Sequence, residues 1–376
     1  MRRKIEIIIA GLFALVYGTL MIIFSKEAAE AVRGSIEVCL TAIIPSLFAF
    51  MVLSSFIIKT GLYKALSKPF AGFSRAVLRI PPELFSVFLL SCIAGYPVGA
   101  KLLSDLEKNG AADRDTCASM QCFCYMGGPA YFCGIVSVTL FGSIKIGLLI
   151  LLITLFVNFT VALLSAKSRP VPKRKPIVCN VKISVKNFLS AVTDGGAAVL
   201  IMCGIIVFFS TFTALLEELG FTGFFGLWCS KLFGLSAADG GALVRSIVEI
   251  NNVRTFTPGN IRLLPLITAL LTFGGFCVIL QMYQFAQNYI KTGLFFVYRG
   301  FAAVLSYTLM SAALHFFPQI AAVSADINAL PAVTKNSFMP SICLLIMLIL
   351  LFCTDLPTLN PRSRRLQTGF SDKRNN

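Results

Sequence analysis

The sequence predicts an all-α, polytopic membrane protein, and three observations carry that prediction. Of its 376 residues, 57% are hydrophobic and only 13% are charged; mean hydropathy is +0.83. A soluble domain carries roughly 25% charge. Apolar runs of about 20 residues, the length a helix needs to cross a bilayer, recur along the chain. The second half also echoes the first. Ser35–Ile58 corresponds to Ser190–Phe212, Ile93–Lys101 to Ile247–Phe256, and Met126–Ala130 to Phe273–Cys277. Two membrane repeats with interruptions at matching places are the mark of secondary transporters.

The elements follow in order. The N-terminal MRRKIEIIIAGLFALVYGTLMIIF has a basic start and a long apolar stretch, then Lys26 and Glu27 where a cleavage site would need small residues. It reads as a retained first span, 5–24, with signal-anchor character. Further full spans are expected at 38–58, 116–140, 144–165, 191–213, 263–285, 294–314 and 338–354. Two shorter segments, 83–101 and 241–256, contain Gly, Pro or polar residues. They read as re-entrant hairpins, which membranes tolerate only where protein or a water-filled cavity shields the backbone.

Basic residues set the sides. Arg2, Arg3 and Lys4 precede the first span, and Lys59, Lys64, Lys68, Arg75 and Arg79 follow the second. Lys167, Arg169, Lys173, Arg174, Lys175, Lys182 and Lys186 follow the fourth, and Arg362, Arg364, Arg365, Lys373 and Arg374 occupy the tail. With eight full spans all four groups share one side, which the positive-inside rule makes cytoplasmic, both termini included. Mixed-charge loops, Lys26 to Glu37 and Glu217 to Lys231, fall opposite. The predicted organisation is a first helix and outer loop (1–34), a gate-like repeat (35–166), a basic linker (167–189), a second, inverted repeat (190–315), an outer loop and last span (316–354) and a basic tail (355–376). A formal charge of +16 spread between spans in this way marks topology, and nucleic acid is excluded as a partner.

The interruptions carry the candidate site. In the first hairpin, Pro97 disfavours helix at Tyr96, and Gly95 and Gly99 permit close backbone approach. A helix broken here frees N–H groups for an anion, with Tyr96 to stack on a ring and Lys101 to add charge; a tight turn between packed half-helices is the plain alternative. The second hairpin is more polar. Glu249 lies four residues after Arg245, a spacing that pairs them on a helix. Asn251 and Asn252 offer donors and acceptors, and Arg254 a cation. Ionisable groups at membrane depth usually line a pathway; an ordinary surface loop is the alternative. Gly127, Gly128 and Pro129 interrupt one span, and Gly274 and Gly275 the matching one, through unwinding or through close helix packing. Ser119, Gln121 and Gln281 are the nearby polar side chains. Asp194 is read as a helix cap or as a coupling-ion site, a role that Glu249 also suits.

No enzyme pattern appears: no P-loop, GxSxG or HExxH is present. His315 stands alone, and most of the 12 cysteines lie in apolar runs, so neither a metal nor another cofactor is expected.

The stretches IPSLFAFMVLS (Ile44–Ser54), PPELFSVFLLSCIAGYPVGAKLLSDL (Pro81–Leu106) and YMGGPAY (Tyr125–Tyr131) resemble the YlbJ, or SpoVV, family of sporulation membrane proteins of endospore-forming Firmicutes. More loosely, the chain is similar to the nucleoside-recognition or gate domains of concentrative nucleoside transporters. The resemblance implies a role at the outer forespore membrane, facing the mother-cell cytoplasm, in moving dipicolinic acid toward the forespore. Dipicolinate is a flat aromatic dianion, to be met by Arg245, Arg254, Lys101 and Tyr96. The expected partners are the bilayer and such a small organic anion, with a coupling ion and a homo-oligomer left open. A carrier of nucleosides or of another organic anion, and a scaffold for spore-envelope assembly, are the alternatives.

Overall fold

The computed structural model describes residues 2–317 apart from 168, 170 and 173–176. Its regular structure is entirely helical among the described residues. Six helices there are long and apolar enough to cross a membrane, or seven if one bent pair counts as a span. The expected last span, 338–354, and the tail lie outside the described residues.

Helix α1 (Arg2–Ile23) is followed by α2 (Ser25–Val38), a wide π-type turn at Cys39–Ile43, and α3 (Ile44–Thr60). From Ser25 to Thr60 this is one helical rod of 36 residues. The loop expected over Lys26–Glu37 is therefore helix, because KEAAEAV is built of strong helix formers with no Pro to stop it. Gly61, at φ +76°, ends α3 in the left-handed cap that glycine favours. Short α4 (Leu62–Ser67) and α5 (Ala71–Phe73) then run laterally and bend by 110° into α6 (Phe85–Ala94). Gly95, Tyr96 and Pro97 separate α6 from α7 (Val98–Lys108).

The expected span 116–140 is not one helix. Helix α8 (Arg114–Gln121) stops, residues 122–128 leave regular helix, and the chain re-enters through a wide turn (Ala130–Val136) and α9 (Ser137–Phe141). Pro129 can donate no backbone bond there. Helix α10 (Ile144–Ala166) closes the first half.

The linker returns along α3, where Lys182 N donates to Thr60 O at 3.0 Å. Helix α11 (Val185–Glu218), 34 residues long, is capped by Ser184, whose hydroxyl accepts from Asn187 N. Asp194 thus sits within the helix and caps nothing, because Ser184 starts it earlier. Helix α12 (Phe221–Phe233) fills most of the expected Glu217–Lys231 loop and packs on α13 (Ala237–Val248), with Gly226 against the backbone of Gly240 and Gly241. A 3-10 turn (Ile250–Thr255) follows. Helices α14 (Leu264–Phe273) and α15 (Phe276–Ala286) are parted by Gly274 and Gly275, and α16 (Thr292–Phe316) ends the described chain.

Both halves therefore run long helix, shorter helical segment, broken helix, broken helix, long helix. The long helices turn apolar side chains outward, such as Leu200 at 70% and Val297 at 69% exposure, as a lipid-facing surface requires. The buried core gathers at the breaks, around Phe123, Tyr125, Phe132 and Phe295.

Candidate functional site where the broken helices cross

Within each half, one break lies against the other, backbone to backbone. Gly95 adopts φ +82°, and a Cβ there would fall 2.5 Å from Gly128 N. In the second half a Cβ on Gly275 would lie 2.9 Å from Ile250 N and 3.0 Å from Ser246 O. The halves also meet. Tyr96, joined by a cis peptide to Pro97, stacks at 5.3 Å on Tyr125 of the same half, and Tyr125 reaches the second half. The Tyr125 hydroxyl covers Gly274, at φ +79°. Tyr131 Oη donates to Ile250 O at 3.2 Å.

At this crossing α13 ends and Glu249 turns extended (φ −137°, ψ 111°). The carboxylate is 2% exposed. Its Oε1 accepts from Asn251 N at 3.2 Å and Asn251 Nδ2 at 2.8 Å. Glu249 does not pair with Arg245, because the helical face that their spacing presumes stops one residue short of it. Arg245 instead holds Glu217 at 3.0 Å.

Three cavities lie along α11. The central one, of about 60 Å³, is lined by Ser46, Tyr96, Tyr131, Glu249, Asn251 and Gln281. A vestibule of about 220 Å³ shares Ile206, Glu249 and Asn251 with it and adds Glu217, Arg245, Asn252 and Arg254. A third cavity, of about 380 Å³, is lined by Lys59, Lys101, Asp105, Lys108, Asp194 and Phe285 among others, and shares no lining residue with the central one. In it Lys59 pairs with Asp194 at 2.8 Å and Lys101 with Asp105 at 2.5 Å.

The structure thus gathers Tyr96, Gly128, Glu249, Asn251 and Gln281 at the centre, and Arg245, Asn252 and Arg254 at one mouth. Lys101 belongs to the other mouth. Gln121 is buried elsewhere, accepting from Tyr289 Oη at 3.0 Å. Gly99 packs against Cys124 O and Gly127 against the Phe132 ring, so both shape the breaks and do not line the cavity. Pro97 is buried at the start of α7, and Ser119 lies in the half-helix before the unwound segment, away from the cavities described.

One residue escaped the sequence reading. Arg299 on α16 is fully buried. It donates from Nη1 to Tyr125 O at 2.8 Å and from Nη2 to Asn158 Oδ1 at 2.9 Å and to Cys122 O. Its guanidinium sits 5.4 Å from the centre of the Tyr125 ring. It satisfies carbonyls that the unwound segment 122–128 frees. The signal was present: a lone arginine inside the apolar run 294–314, where a charge is costly unless it is used.

These features define an all-α polytopic membrane protein with polar helix breaks crossing in its interior. Among known proteins, the chain is similar to the sporulation integral membrane protein YlbJ of Bacillus subtilis (strain 168), 24% identical over 240 residues. The match covers 58% of this chain and 59% of that protein, less than two thirds of the relative's length. No family model matches the chain, and no solved structure does.

Proposed function

We propose that this chain is a secondary carrier of sporulation that moves a small organic dianion, dipicolinate, across the outer forespore membrane by alternating access. The observation that carries the reading is the line of cavities along α11. Asp194 and Glu217, at its two outer cavities, lie roughly 35 Å apart at 1.5 Å rise per residue, close to the thickness of a bilayer core. The central cavity lies between them, at Met202 and Ile206.

Chemistry at the mouth supports an anion. Arg254 makes no ion pair among the described residues, and Arg245 pairs with the half-exposed Glu217 and donates from Nη2 to Thr255 Oγ1 at 3.4 Å. Guanidinium groups bind carboxylates through paired hydrogen bonds. The central cavity has a wall in common with the arginine vestibule and none with the lysine cavity. On this reading the carrier is accessible from the arginine side, and the positive-inside rule favours the lysine side as the cytoplasmic one. The name of the similar protein supports sporulation; dipicolinate follows from the family resemblance and from the arginines.

Purified protein in liposomes, offered labelled dipicolinate beside a nucleoside panel, tests this. Dipicolinate uptake that other dicarboxylates compete for is the expected result. Uptake of nucleosides alone would replace the substrate. No uptake by folded protein under any ion gradient would overturn the carrier and favour a scaffold.

A further inference from the structure

We infer that Glu249 binds a monovalent cation, a proton or Na⁺, and that this cation is coupled to the anion held in the arginine vestibule. The inference rests on the carrier reading and adds to it the ion and the residue.

Glu249 is buried, yet it forms no ion pair among the described residues. Its hydrogen bonds come from Asn251 alone and reach only Oε1. A carboxylate in that position is retained only if something neutralises it. Asp194, the other acidic candidate, already has Lys59. The central cavity beside Glu249, at about 60 Å³, has room for about two water-sized occupants at ~30 Å³ each. An aromatic ring does not fit there, whereas a small ion with part of its hydration does.

The lining is rich in acceptors. Gln281 turns its Nε2 to Cys277 Sγ at 3.4 Å, leaving its carbonyl oxygen for the cavity. Ser46 gives its proton to Ala42 O at 2.6 Å and keeps its lone pairs. Tyr96 Oη is buried and has no hydrogen-bond partner among the described residues. Helix α6 ends at Ala94 on the cavity wall and α13 ends at Val248 beside it, so two negative helix ends converge. The titratable or charged groups around Glu249 are Arg254 from the 3-10 turn, Arg245 on α13, Tyr96 and Tyr131 from the breaks of the first half, Cys277 on α15, and Cys39 with Cys203 from the α2–α3 turn and α11. Tyrosine and cysteine are ordinarily neutral, so Arg254 is the cation that acts on it, across the vestibule.

Coupling follows from this placement. Glu249 lies in the wall common to the central cavity and the vestibule. As a bare carboxylate it repels a dianion at Arg254. With its cation bound, that repulsion is gone, so each ligand favours the other's binding.

The test begins with binding alone, on purified protein. Infrared difference spectra across a pH titration, and thermal-stability titration with NaCl against choline chloride, are recorded for wild type, Glu249→Gln and Glu249→Asp. A carboxyl band that titrates in wild type and is missing in Glu249→Gln identifies the proton. A Na⁺-specific rise in melting temperature that Glu249→Gln loses identifies Na⁺. Neither signal in a folded wild type overturns the inference. Uptake then separates the two claims. Gradient-driven accumulation lost in Glu249→Gln, with downhill exchange kept, supports coupling. Uptake indifferent to both gradients overturns coupling and leaves the carrier. A cation signal without uptake overturns the carrier and leaves only the binding site.

Discussion

Replacing Gly95 by alanine tests the crossing of the two breaks in the first half. Gly95 holds φ +82° and ψ 178°, a region that is open essentially to glycine and costs about 1–3 kcal/mol for other residues. The new Cβ would also sit 2.5 Å from Gly128 N and 2.9 Å from Gly128 Cα, both backbone atoms that cannot swing aside. Overpacking of this kind adds about 1–3 kcal/mol. Together the two effects destabilise the fold by about 2–6 kcal/mol. The matched control is Gly204→Ala on α11, where nothing lies within 4 Å of the new Cβ and alanine gains about 1 kcal/mol of helix propensity. Thermal unfolding in detergent, followed by fluorescence-detected size exclusion, reads both variants side by side. Gly95→Ala melts several degrees below wild type, while Gly204→Ala melts at or slightly above it. Equal melting temperatures for Gly95→Ala and wild type would refute the close approach of the breaks.

Three further outcomes are expected. Arg254→Gln and Arg245→Gln each reduce dipicolinate uptake at least tenfold, the loss of about one charged hydrogen bond, with little change in melting temperature, because the Arg245–Glu217 pair is partly exposed and such pairs contribute about 0–1 kcal/mol; normal uptake in both variants would remove the arginines from the path. Arg299→Lys keeps the charge but cannot reach Tyr125 O, Cys122 O and Asn158 together; with carbonyls left unpaired at about 1–3 kcal/mol each, it melts below wild type and loses transport, and wild-type behaviour would show that the unwound segment holds itself. Cys179 is exposed on the linker, and in a background lacking the other cysteines it reacts with an impermeant maleimide only from the cytoplasmic side; labelling from the opposite face would invert the topology.

The expected spans among the described residues, except 116–140, were legible because long apolar runs admit few other readings, and two of the breaks because Gly95, Pro97, Gly127, Gly128 and Pro129 announce them in an apolar setting. The end of α13 was not. Nothing between Arg245 and Asn252 is Gly or Pro, so the spacing suggested a helix and an Arg245–Glu249 pair. The backbone of Gly275 lies against this segment instead, a contact between residues about thirty positions apart. Lys101 and Tyr96 looked like neighbours on the same hairpin, yet the helix that starts after the break carries Lys101 to another cavity. Arg299 showed its cost in the sequence but not its partners, which come from α10 and the unwound segment. Helix across Lys26–Glu37 and within Glu217–Lys231 was readable from composition, but charge was taken as a sign of loop.

Accessibility along α11 tests alternating access most directly. Single cysteines at Asp194, Ile201, Ile206, Ser210 and Glu217, in a cysteine-free background, are probed from each side with a water-soluble thiol reagent, with and without dipicolinate. The account predicts that Asp194 and Ile201 react from the lysine side, that Ser210 and Glu217 react from the arginine side, and that dipicolinate changes the side from which Ile206 is reached. Labelling of Ile206 that is absent in both conditions, or indifferent to dipicolinate, would contradict it.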